Sequence, residues 1–401
     1  MESSILFLND GSLINPIIKS QGLPLLKELA DTGFACTFCS FEPLKMSEQH
    51  NEKLKSIRKE FNTFINFKEV ITGKYCFLPN SIMYFYKGFR IVTKLVKTYN
   101  IRIIHARSLY PVIIGIIVKL FYPRLRVIYD NRGVFIEEEI FKSHWRRGGI
   151  KERIFKLIEN KVLKKADHIV VVSKAFKKYL LEKYSSNKAN LNNKISVISN
   201  KTLLNHNLDS QKLNLRMHNE KVTCIYAGSG VLWQNIPEII SFAEKCNLLV
   251  EDFNLKIVTY HPPTFKIEIN KSKDLKEITK IIEVDSDNVL EHLLTANFGL
   301  LLRENNLINK VSSPLKFAEY LAAGLPVMVS EGVGDTEQII QQYKVGVIIR
   351  DKNYKKAINN MMELLKDPEI HDRCRNTAKK EFNIRDAIDT FRSVYFKLLY
   401  E

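Results

Sequence analysis

Two oppositely charged residues, Lys316 and Glu319, lie within the apolar segment SPLKFAEYLAAGLPVMVSEGVGD, residues 313–335. Its spacing predicts a helix over Pro314–Ala323, with Gly324 as the cap that ends it before a buried strand. A lysine beside the free amide groups of a helix N-terminus suits a phosphate. A carboxylate three residues later lies on the same helix face and can accept hydrogen bonds from a sugar diol. An ordinary surface ion pair explains the same spacing equally well.

Ser312 and Ser313 precede this helix and occupy the positions where an N-cap is expected. Near the start of the chain, Gly11 and Ser12 follow the apolar run SILFLND. A glycine there lets the backbone approach a diphosphate, because it has no side chain to obstruct the ligand. A simple turn is the alternative interpretation of Gly11 and Ser12.

Two further pairs of polar residues follow predicted strands in the first half, His105 with Arg107 and Asp130 with Arg132. Residues two apart on a strand point to the same side, so each pair can act together. His105 can orient a substrate and Arg107 can hold a phosphate, while a lone histidine at a strand end is more often structural. Asp130 and Arg132 can position a second substrate or hold one another. Glu138, between Glu137 and Glu139, can add a contact, although an exposed acidic helix turn explains this triplet as well.

The elements that must position these residues alternate regularly along the chain. Short β-branched runs such as IRIIHARS and HIVVVS are followed by longer helical patterns, which is typical of βαβ units with a parallel sheet buried on both faces. A polar stretch at 200–220 interrupts the alternation before it resumes. We therefore predict an α/β protein with two Rossmann-like parallel-sheet domains that face a cleft, at residues 1–205 and 206–380. Residues 381–401 form a final helix that can pack back on the first domain.

The composition of the chain indicates what kind of partner it binds and in which cellular compartment it works. The 401 residues carry a net charge of +17, which favours a partner with negative charge, such as a phosphorylated ligand, a nucleic acid or an anionic membrane surface. Cys36 and Cys39 lie in an apolar run without a second pair, so we expect buried free thiols and a reducing, cytoplasmic setting. The N-terminus does not have the pattern of a signal peptide, and no apolar run is long enough to span a bilayer, so membrane association is expected to be peripheral.

The segment around Glu319 resembles the nucleotide-binding segment of GT-B glycosyltransferases, specifically those of retaining glycosyltransferase family 4. In that family a glutamate precedes Ala-x-x-x-Gly-x-Pro-Val, and Glu319, Gly324, Pro326 and Val327 match this pattern. The likeness continues over most of the chain. It includes LNDGSLINPIIKSQG, IIHARS, DNRG, ADHIVVVSKAF, VISN and YAGSGVLWQN, in the family's order.

The resemblance implies that the second domain binds a nucleotide-diphosphate sugar and that Glu319 binds the ribose. The catalytic residues that we predict are His105, Arg107 and Lys316. The donor contacts implied are Gly11, Ser12, Gly228, Arg303, Ser312, Ser313, Lys316 and Glu319, and the acceptor contacts are Asp130, Arg132 and Glu138.

The chain departs from the family pattern in its phosphate contacts. A second glutamate common in the family is replaced by Val311, and no basic residue follows Gly228 in GSGVLWQNIPE. Arg303 and Lys316 are the nearest basic replacements. Asp285 and Asp287 have the D-x-D spacing of a metal site in another glycosyltransferase fold, but Asp287 is better explained as a helix N-cap. We expect no metal and no cofactor, since the nucleotide sugar is a substrate.

The reaction predicted is sugar transfer, with retention, from a UDP- or GDP-type donor to a glycan acceptor that is lipid-linked, in lipopolysaccharide or capsule synthesis. Basic clusters in KSHWRRGGIKERIFKLIENKVLKK and SKAFKKYLLEKY suit the cytoplasmic surface of an anionic membrane, and a solvated face is the alternative. A nucleotide-sugar epimerase of similar fold is a rival prediction, which product analysis would separate. A non-enzymatic nucleic-acid-binding protein is the other rival, and the chain contains no nucleic-acid-binding motif.

Overall fold

The computed structural model describes residues 4–15, 17–72, 80–184, 188–201, 221–230, 234–284 and 288–400. The chain folds into two compact units. The first unit comprises Met1–Ser199 together with Ile384–Glu401, and the second comprises Asn200–Asn383. The chain therefore leaves the first unit once and returns to it for the final helix. Most of the polar stretch predicted as a linker, residues 202–220, lies outside the described residues.

The first unit contains a seven-stranded sheet, counted over its described residues, in the order β3-β2-β1-β4-β5-β6-β7. All of its neighbouring strands are parallel, as the alternating pattern predicts. The strands are β1 Ser4–Asn9, β2 Ala35–Pro43, β3 Ile65–Thr72, β4 Ile101–Arg107, β5 Arg126–Asn131, β6 His168–Val171 and β7 Ile195–Val197.

The helices of the first unit connect these strands in turn. A π-helical turn at Ile18–Gly22 precedes α1. The helices are α1 Leu23–Asp31, α2 Glu48–Phe61, α3 Asn80–Thr98, α4 Leu109–Phe121, α5 Phe135–Phe141, α6 Ile150–Lys165, α7 Lys174–Lys183 and α8 Lys188–Asn193.

The second unit contains a six-stranded parallel sheet, again counted over its described residues, in the order β10-β9-β8-β11-β12-β13. Its strands are β8 Val222–Ala227, β9 Phe253–Thr259, β10 Thr279–Glu283, β11 Phe298–Leu301, β12 Val327–Ser330 and β13 Gly346–Ile349. Its helices are α9 Ile236–Leu249, α10 Pro262–Ile269, α11 Lys273–Ile278, α12 Val289–Leu293, α13 Leu307–Lys310, α14 Leu315–Ala322, α15 Thr336–Tyr343, α16 Tyr354–Leu365 and α17 Ile370–Glu381. The chain ends with α18, Ile384–Tyr400, in the first unit.

The central strands are buried on both faces, which explains why their sequences are apolar almost throughout. Every residue of β1 and β6 is buried. In the first unit α18 completes the core, where its Phe391 and Tyr395 pack in one cluster with Phe7 of β1 and Phe38 of β2. The fold class predicted from the sequence, two Rossmann-like parallel-sheet units, is confirmed.

A glycine in β11 lets α14 pack closely on the second sheet. A β-carbon at Gly299 would lie 2.6 Å from ring atoms of Tyr320, a fully buried residue of α14. The Tyr320 hydroxyl accepts a hydrogen bond from the Ala227 amide at 2.8 Å and lies 3.3 Å from the Leu300 carbonyl oxygen, to which it donates. The helix that carries Lys316 and Glu319 is therefore held against β8 and β11.

Cysteine burial agrees with the sequence prediction. Cys36 and Cys39 are free and buried, and burial raises the pKa of both thiols to about 12. They are therefore protonated, unreactive core residues at neutral pH. Within the described part of the chain no helix is both long enough and apolar enough to cross a membrane.

Candidate active site

The second sheet has its topological switch point between β8 and β11, because the chain runs outward from these two neighbouring strands in opposite directions. Open parallel sheets bind ligands outside the carboxyl ends of the strands at such a point. The loop after β8 contains Gly228, and the loop after β11 contains Arg303. The topology therefore places two of the predicted donor-binding residues at the expected position in the sheet.

Arg303 is fixed at this edge by neutral partners. Its backbone amide donates to Ser330 Oγ at 2.9 Å, and its Nη1 donates to Asn309 Oδ1 at 3.2 Å. No ion pair between Arg303 and a carboxylate is found among the described residues. Burial lowers the pKa of its guanidinium. A held arginine with this environment is a suitable partner for an anionic ligand.

Asn309, which the sequence pattern did not single out, connects the loops around Arg303. Its side-chain amide donates to the Glu304 carbonyl oxygen at 2.9 Å, and the residue is fully buried. Its own carbonyl oxygen accepts from the Gly334 amide at 3.0 Å and from Ser312 Oγ at 2.8 Å. Asn309 lies between Ile308 and Lys310, and this local sequence does not indicate that its carbonyl oxygen binds Gly334, 25 residues later.

The start of α14 differs from the prediction. Pro314 is the N-cap, and no side chain caps the helix. Ser312 and Ser313, predicted as caps, are engaged elsewhere: Ser312 Oγ donates to Asn309, and Ser313 Oγ accepts from the Asn200 amide at 3.0 Å. The capping prediction was wrong because both hydroxyls have closer partners in the folded loop. Their contact with a donor stays a prediction.

Lys316 and Glu319 lie in the first and second turns of α14 and contact one another. Lys316 Nζ is 2.6 Å from Glu319 Oε2, and both side chains are partly exposed. The structure thus contains the ion pair that the spacing allowed. Lys316 lies in the first turn of α14, at the positive end of the helix dipole, where an anion is more favourable than a lysine alone; no side chain caps the amides there.

The end of α14 follows the sequence prediction closely. Gly324 has φ +76°, and its amide donates to the Leu321 carbonyl oxygen while the Leu325 amide donates to that of Tyr320. This is a Schellman motif, in which a residue in the left-handed conformation satisfies the last carbonyl groups of the helix. Gly324 therefore ends the helix and directs the chain into β12.

Gly228 continues the second sheet beyond β8. Its amide donates to the Val258 carbonyl oxygen at 3.0 Å, so this group is already used within the sheet. Tyr226 supports the same loop, since its hydroxyl donates to the Ser229 carbonyl oxygen at 2.9 Å. A donor contact by Gly228 stays a prediction.

The first sheet has an equivalent switch point between β1 and β4. Asp10, which the sequence interpretation overlooked, lies there and accepts from the Tyr84 hydroxyl and from Ser108 Oγ, each at 3.1 Å. Ser108 has φ +80° and ψ 175°, a conformation rare outside glycine. The backbone strain at Ser108 is located where the topology predicts a binding edge.

Gly11 and Ser12 follow Asp10 in a well-supported turn. Gly11 has φ +100°, and its carbonyl oxygen accepts from the Phe41 amide at 3.2 Å. Ser12 Oγ lies 3.4 Å from His50 Nε2. Glu42 is buried beneath the turn and accepts from the Leu13 amide at 2.9 Å. The geometry is compatible with both interpretations of these residues, a simple turn and a diphosphate contact.

His105 is fully buried and lies between two partners. Its Nε2 is 3.3 Å from Asp130 Oδ2, and its Nδ1 is 2.6 Å from the hydroxyl of Tyr395 in α18. Burial lowers the pKa of the imidazole, which favours the neutral ring. In this arrangement His105 positions Asp130, and its direct contact with a substrate stays a prediction.

Asp130 and Arg132 hold one another, which was one of the two roles expected for them. Arg132 Nε is 2.7 Å from Asp130 Oδ1. Burial alone would raise the pKa of the Asp130 carboxyl, but the Arg132 guanidinium holds this pKa below its usual range. Burial and repulsion from Arg132 lower the pKa of Arg107 to about 10, so Arg107 remains charged at neutral pH. One carboxylate is thus close to two arginines.

The acidic triplet in α5 is not an exposed turn. Glu137 pairs with Arg147 at 2.7 Å, and the buried Glu139 contacts Lys142 and His144 at 3.2 and 3.0 Å. Glu138 is partly buried beside Gly133, and burial raises the pKa of its carboxyl. Of the three, Glu138 is the one without an ion pair among the described residues, and its acceptor contact stays a prediction.

The described residues contain no group of three or more metal-ligating side chains. Asp285 and Asp287, the D-x-D pair, lie outside the described residues. The N-cap of the following helix, α12, is Asn288. The expectation of a metal-independent reaction stays a prediction.

Comparisons with known proteins agree with this architecture. Residues 23–200 match the family model described as Glycosyltransferase Family 4, and residues 246–393 match the Glucosyltransferase 3-like C-terminal domain. A search of curated protein sequences found no significant match.

Solved structures similar to the whole chain include glycosyltransferases. A glycosyltransferase from Rickettsia africae has a TM-score of 0.73 at 17% identity, covering 100% of this chain and 99% of its own. The lipopolysaccharide outer core galactosyltransferase WaaB has a TM-score of 0.70 at 10% identity, covering 98% of this chain and 99% of its own. Anabaena HepE in complex with UDP-glucose has a TM-score of 0.66 at 11% identity, covering 98% of this chain and 99% of its own. These identities establish likeness of fold, while the family models relate the sequence itself to sugar transfer.

Proposed function

We propose that the chain uses a nucleotide-diphosphate sugar as donor, because a glycosyltransferase family 4 model matches most of its first unit and a Glucosyltransferase 3-like model matches most of its second. The acceptor that we propose is a lipid-linked glycan, the stereochemical outcome is retention, and the product is a cell-surface polysaccharide such as lipopolysaccharide or capsule. The similar structures include the lipopolysaccharide outer core galactosyltransferase WaaB and HepE in complex with UDP-glucose, which supports this choice.

One observation carries the donor proposal: Arg303 is held at the switch point of the second sheet without a carboxylate partner among the described residues. When the bond between sugar and diphosphate breaks, negative charge develops on the leaving phosphate. A fixed guanidinium stabilises that charge with little reorganisation, because Asn309 already orients it. Arg303 thereby replaces the basic residues that the family places after the first donor-domain strand.

Lys316 and Glu319 extend the same donor site in this proposal. The lysine and the uncapped start of α14 bind the diphosphate, and Glu319 accepts hydrogen bonds from the ribose hydroxyls. The existing ion pair holds the carboxylate in place before the donor arrives. Ser312 and Ser313 contribute backbone groups beside the same helix end. No metal takes part in the proposed reaction.

The first unit is proposed to bind the acceptor. Arg107, Arg132 and Glu138 are the groups that we assign to acceptor contacts, and His105 and Asp130 keep the arginines in position. Gly11 and Ser12 keep the donor contact that the family resemblance implies for their turn. We place the enzyme at the cytoplasmic face of the membrane, where a lipid-linked acceptor is presented.

The donor proposal is tested by measuring thermal shifts and donor hydrolysis with a panel of UDP and GDP sugars. Arg303→Ala is expected to lower kcat by about 100-fold or more, the usual loss for one electrostatic contact to a transition state. Glu319→Ala is expected to raise KM for the donor about tenfold, since one charged hydrogen bond contributes about 1.5–3 kcal/mol.

Arg350→Ala is the matched control, because Arg350 is an exposed arginine of the same unit paired with Glu337. A surface ion pair contributes about 1 kcal/mol or less to stability and nothing to donor affinity. Unchanged kinetics in both Arg303→Ala and Glu319→Ala would contradict the donor site. Release of an isomerised sugar without any transfer would instead indicate an epimerase.

A further inference from the structure

The outer surface of α6 has an unusual distribution of charge. Ile150, Ile154 and Leu157 follow one another at helical spacing and are 77%, 48% and 65% exposed. Lys161 continues the same line one turn later. Such side chains belong in a core, yet here they form a stripe along the exposed side of the helix.

Both carboxylates of α6 point away from this stripe. Glu152 is buried, pairs with Lys156 at 2.5 Å and accepts from the Gly148 amide at 2.5 Å. Glu159 is buried and pairs with Lys183 at 3.0 Å. The exposed part of α6 is therefore made of apolar and basic residues, with Lys151, Arg153, Lys161, Lys164 and Lys165 beside the stripe.

The two neighbouring helices show the same composition. The chain has no aspartate or glutamate between residues 80 and 129, a range that includes all of α3 and α4. Helix α4 packs against both α3 and α6. Its end exposes Leu120 and Phe121, and the exposed Arg124 follows. On α3, Ile82 and Tyr86 are exposed one turn apart. Three adjacent helices thus present large apolar side chains and cations without an exposed carboxylate.

We propose that the exposed faces of α3, α4 and α6 form a docking surface for an anionic lipid bilayer. The apolar stripe enters the headgroup region, and the flanking lysines and arginines extend their chains to reach the anionic lipids. This inference rests on the proposed function, in which a lipid-linked acceptor brings the enzyme to a membrane. The structure adds which surface makes the contact.

The amount of lysine on α6 favours a bilayer over a protein partner. Protein–protein interfaces are depleted in lysine, because a flexible, strongly hydrated ammonium group is costly to enclose. A headgroup layer leaves the same group hydrated. An acidic protein or a second copy of this chain is therefore an outcome that the experiment must be able to detect.

The experiment is flotation of the full-length protein with two kinds of vesicle, pure phosphatidylcholine and phosphatidylcholine containing phosphatidylglycerol. We expect binding to the anionic vesicles at least about tenfold stronger, decreasing as salt is added. The double variant I154E/L157E is expected to lose binding about tenfold or more, and Lys161→Glu about fivefold.

Matched controls come from the second unit, where Leu248 is 75% exposed on α9 and Lys355 is exposed on α16. Leu248→Glu and Lys355→Glu make the same chemical changes and are expected to alter vesicle binding less than about twofold. Donor hydrolysis without vesicles is expected to be unchanged in all four variants, which shows that they fold.

Equal loss of binding in I154E/L157E and Leu248→Glu would overturn the proposal, as would equal binding to neutral and anionic vesicles. Sedimentation velocity adds a third criterion: a wild-type dimer that I154E/L157E converts to monomer would assign the surface to a second copy. Vesicle binding and donor hydrolysis are separate readouts. Failure of the docking surface therefore leaves the donor proposal standing, and the reverse also holds.

Discussion

At the scale of single residues, charged groups near the proposed donor site were predictable when their partners were close in sequence. Lys316 and Glu319 were found from their spacing and form the ion pair that spacing allows. Asp10 and Asn309 were missed, because their importance depends on contacts with Tyr84 and Gly334 across the fold. Short-range patterns identify helix faces, whereas hydrogen bonds between distant loops need the tertiary structure.

His168 gives a pH prediction at the same scale. It is buried in β6, its Nε2 lies 2.9 Å from Ser196 Oγ, and burial lowers the pKa of its imidazole to about 4. In the unfolded chain a histidine takes up its proton near pH 6.5. Between about pH 6.5 and 4 the unfolded state therefore binds more protons, so folding stability decreases as the pH falls through this window.

We expect His168 to account for about 2 kcal/mol of the stability lost between pH 7.5 and pH 5. In His168→Gln, which keeps a polar partner for Ser196, that part of the pH dependence should disappear. Urea unfolding of both proteins at the two pH values measures the difference. Equal stability losses in the two proteins would show that His168 does not contribute.

At the scale of secondary-structure elements, the strands were the easiest to predict. Their apolar runs are continuous because both faces of each sheet are covered. The start of α14 was predicted less well, since proline and two serines all fit a helix start, and only the fold shows that the serines bind Asn309 and Asn200. The sequence LKEITKIIEVD contains the end of the short helix α11 and all of strand β10, and its apolar spacing does not mark the change between them.

The turn between β12 and α15 provides a test at this scale. Gly334 has φ +51°, and a β-carbon there would overlap the Ser312 carbonyl oxygen. Gly334→Ala is expected to cost about 3 kcal/mol or more, from left-handed strain plus the backbone clash. Thermal or urea unfolding measures this loss.

Gly33→Ala is the control for backbone strain alone. Gly33 has φ +94°, but a β-carbon there meets nothing within 4 Å. We expect that variant to lose about 1–2 kcal/mol. Similar losses in the two variants would mean that the turn after β12 moves freely away from Ser312, and that the loops around Arg303 are less constrained than their hydrogen bonds suggest.

At the scale of the whole molecule, two parallel-sheet units follow from the repeated alternation of strands and helices. The contact of the last helix with His105 does not follow from this alternation. Tyr395 and His105 are separated by 290 residues, and no local pattern connects them. The helical pattern of residues 381–401 predicts a final helix that packs back on the first domain. Only the structure shows that it covers β4 and supplies a partner to His105.

Phe391→Ala tests this arrangement. Phe391 is fully buried in the core of the first unit, so removing its ring should cost about 3–5 kcal/mol. Amide hydrogen exchange should become faster in β1 and β4, which are far from Phe391 in sequence. It should change little in α17, which directly precedes α18 in sequence but belongs to the second unit. Phe317→Ala, in the core of the second unit, is the control and should change exchange there instead.

Because the first unit is divided in sequence, it also affects the order in which the two units can fold during synthesis. During translation the residues of the second unit, up to Asn383, all emerge before α18 does. The first unit, although residues 1–199 are synthesised first, lacks Phe391 and Tyr395 until α18 has been synthesised. Domains normally complete folding in the order of their synthesis. Here the later unit can close its core first, and the earlier one must wait for its last helix.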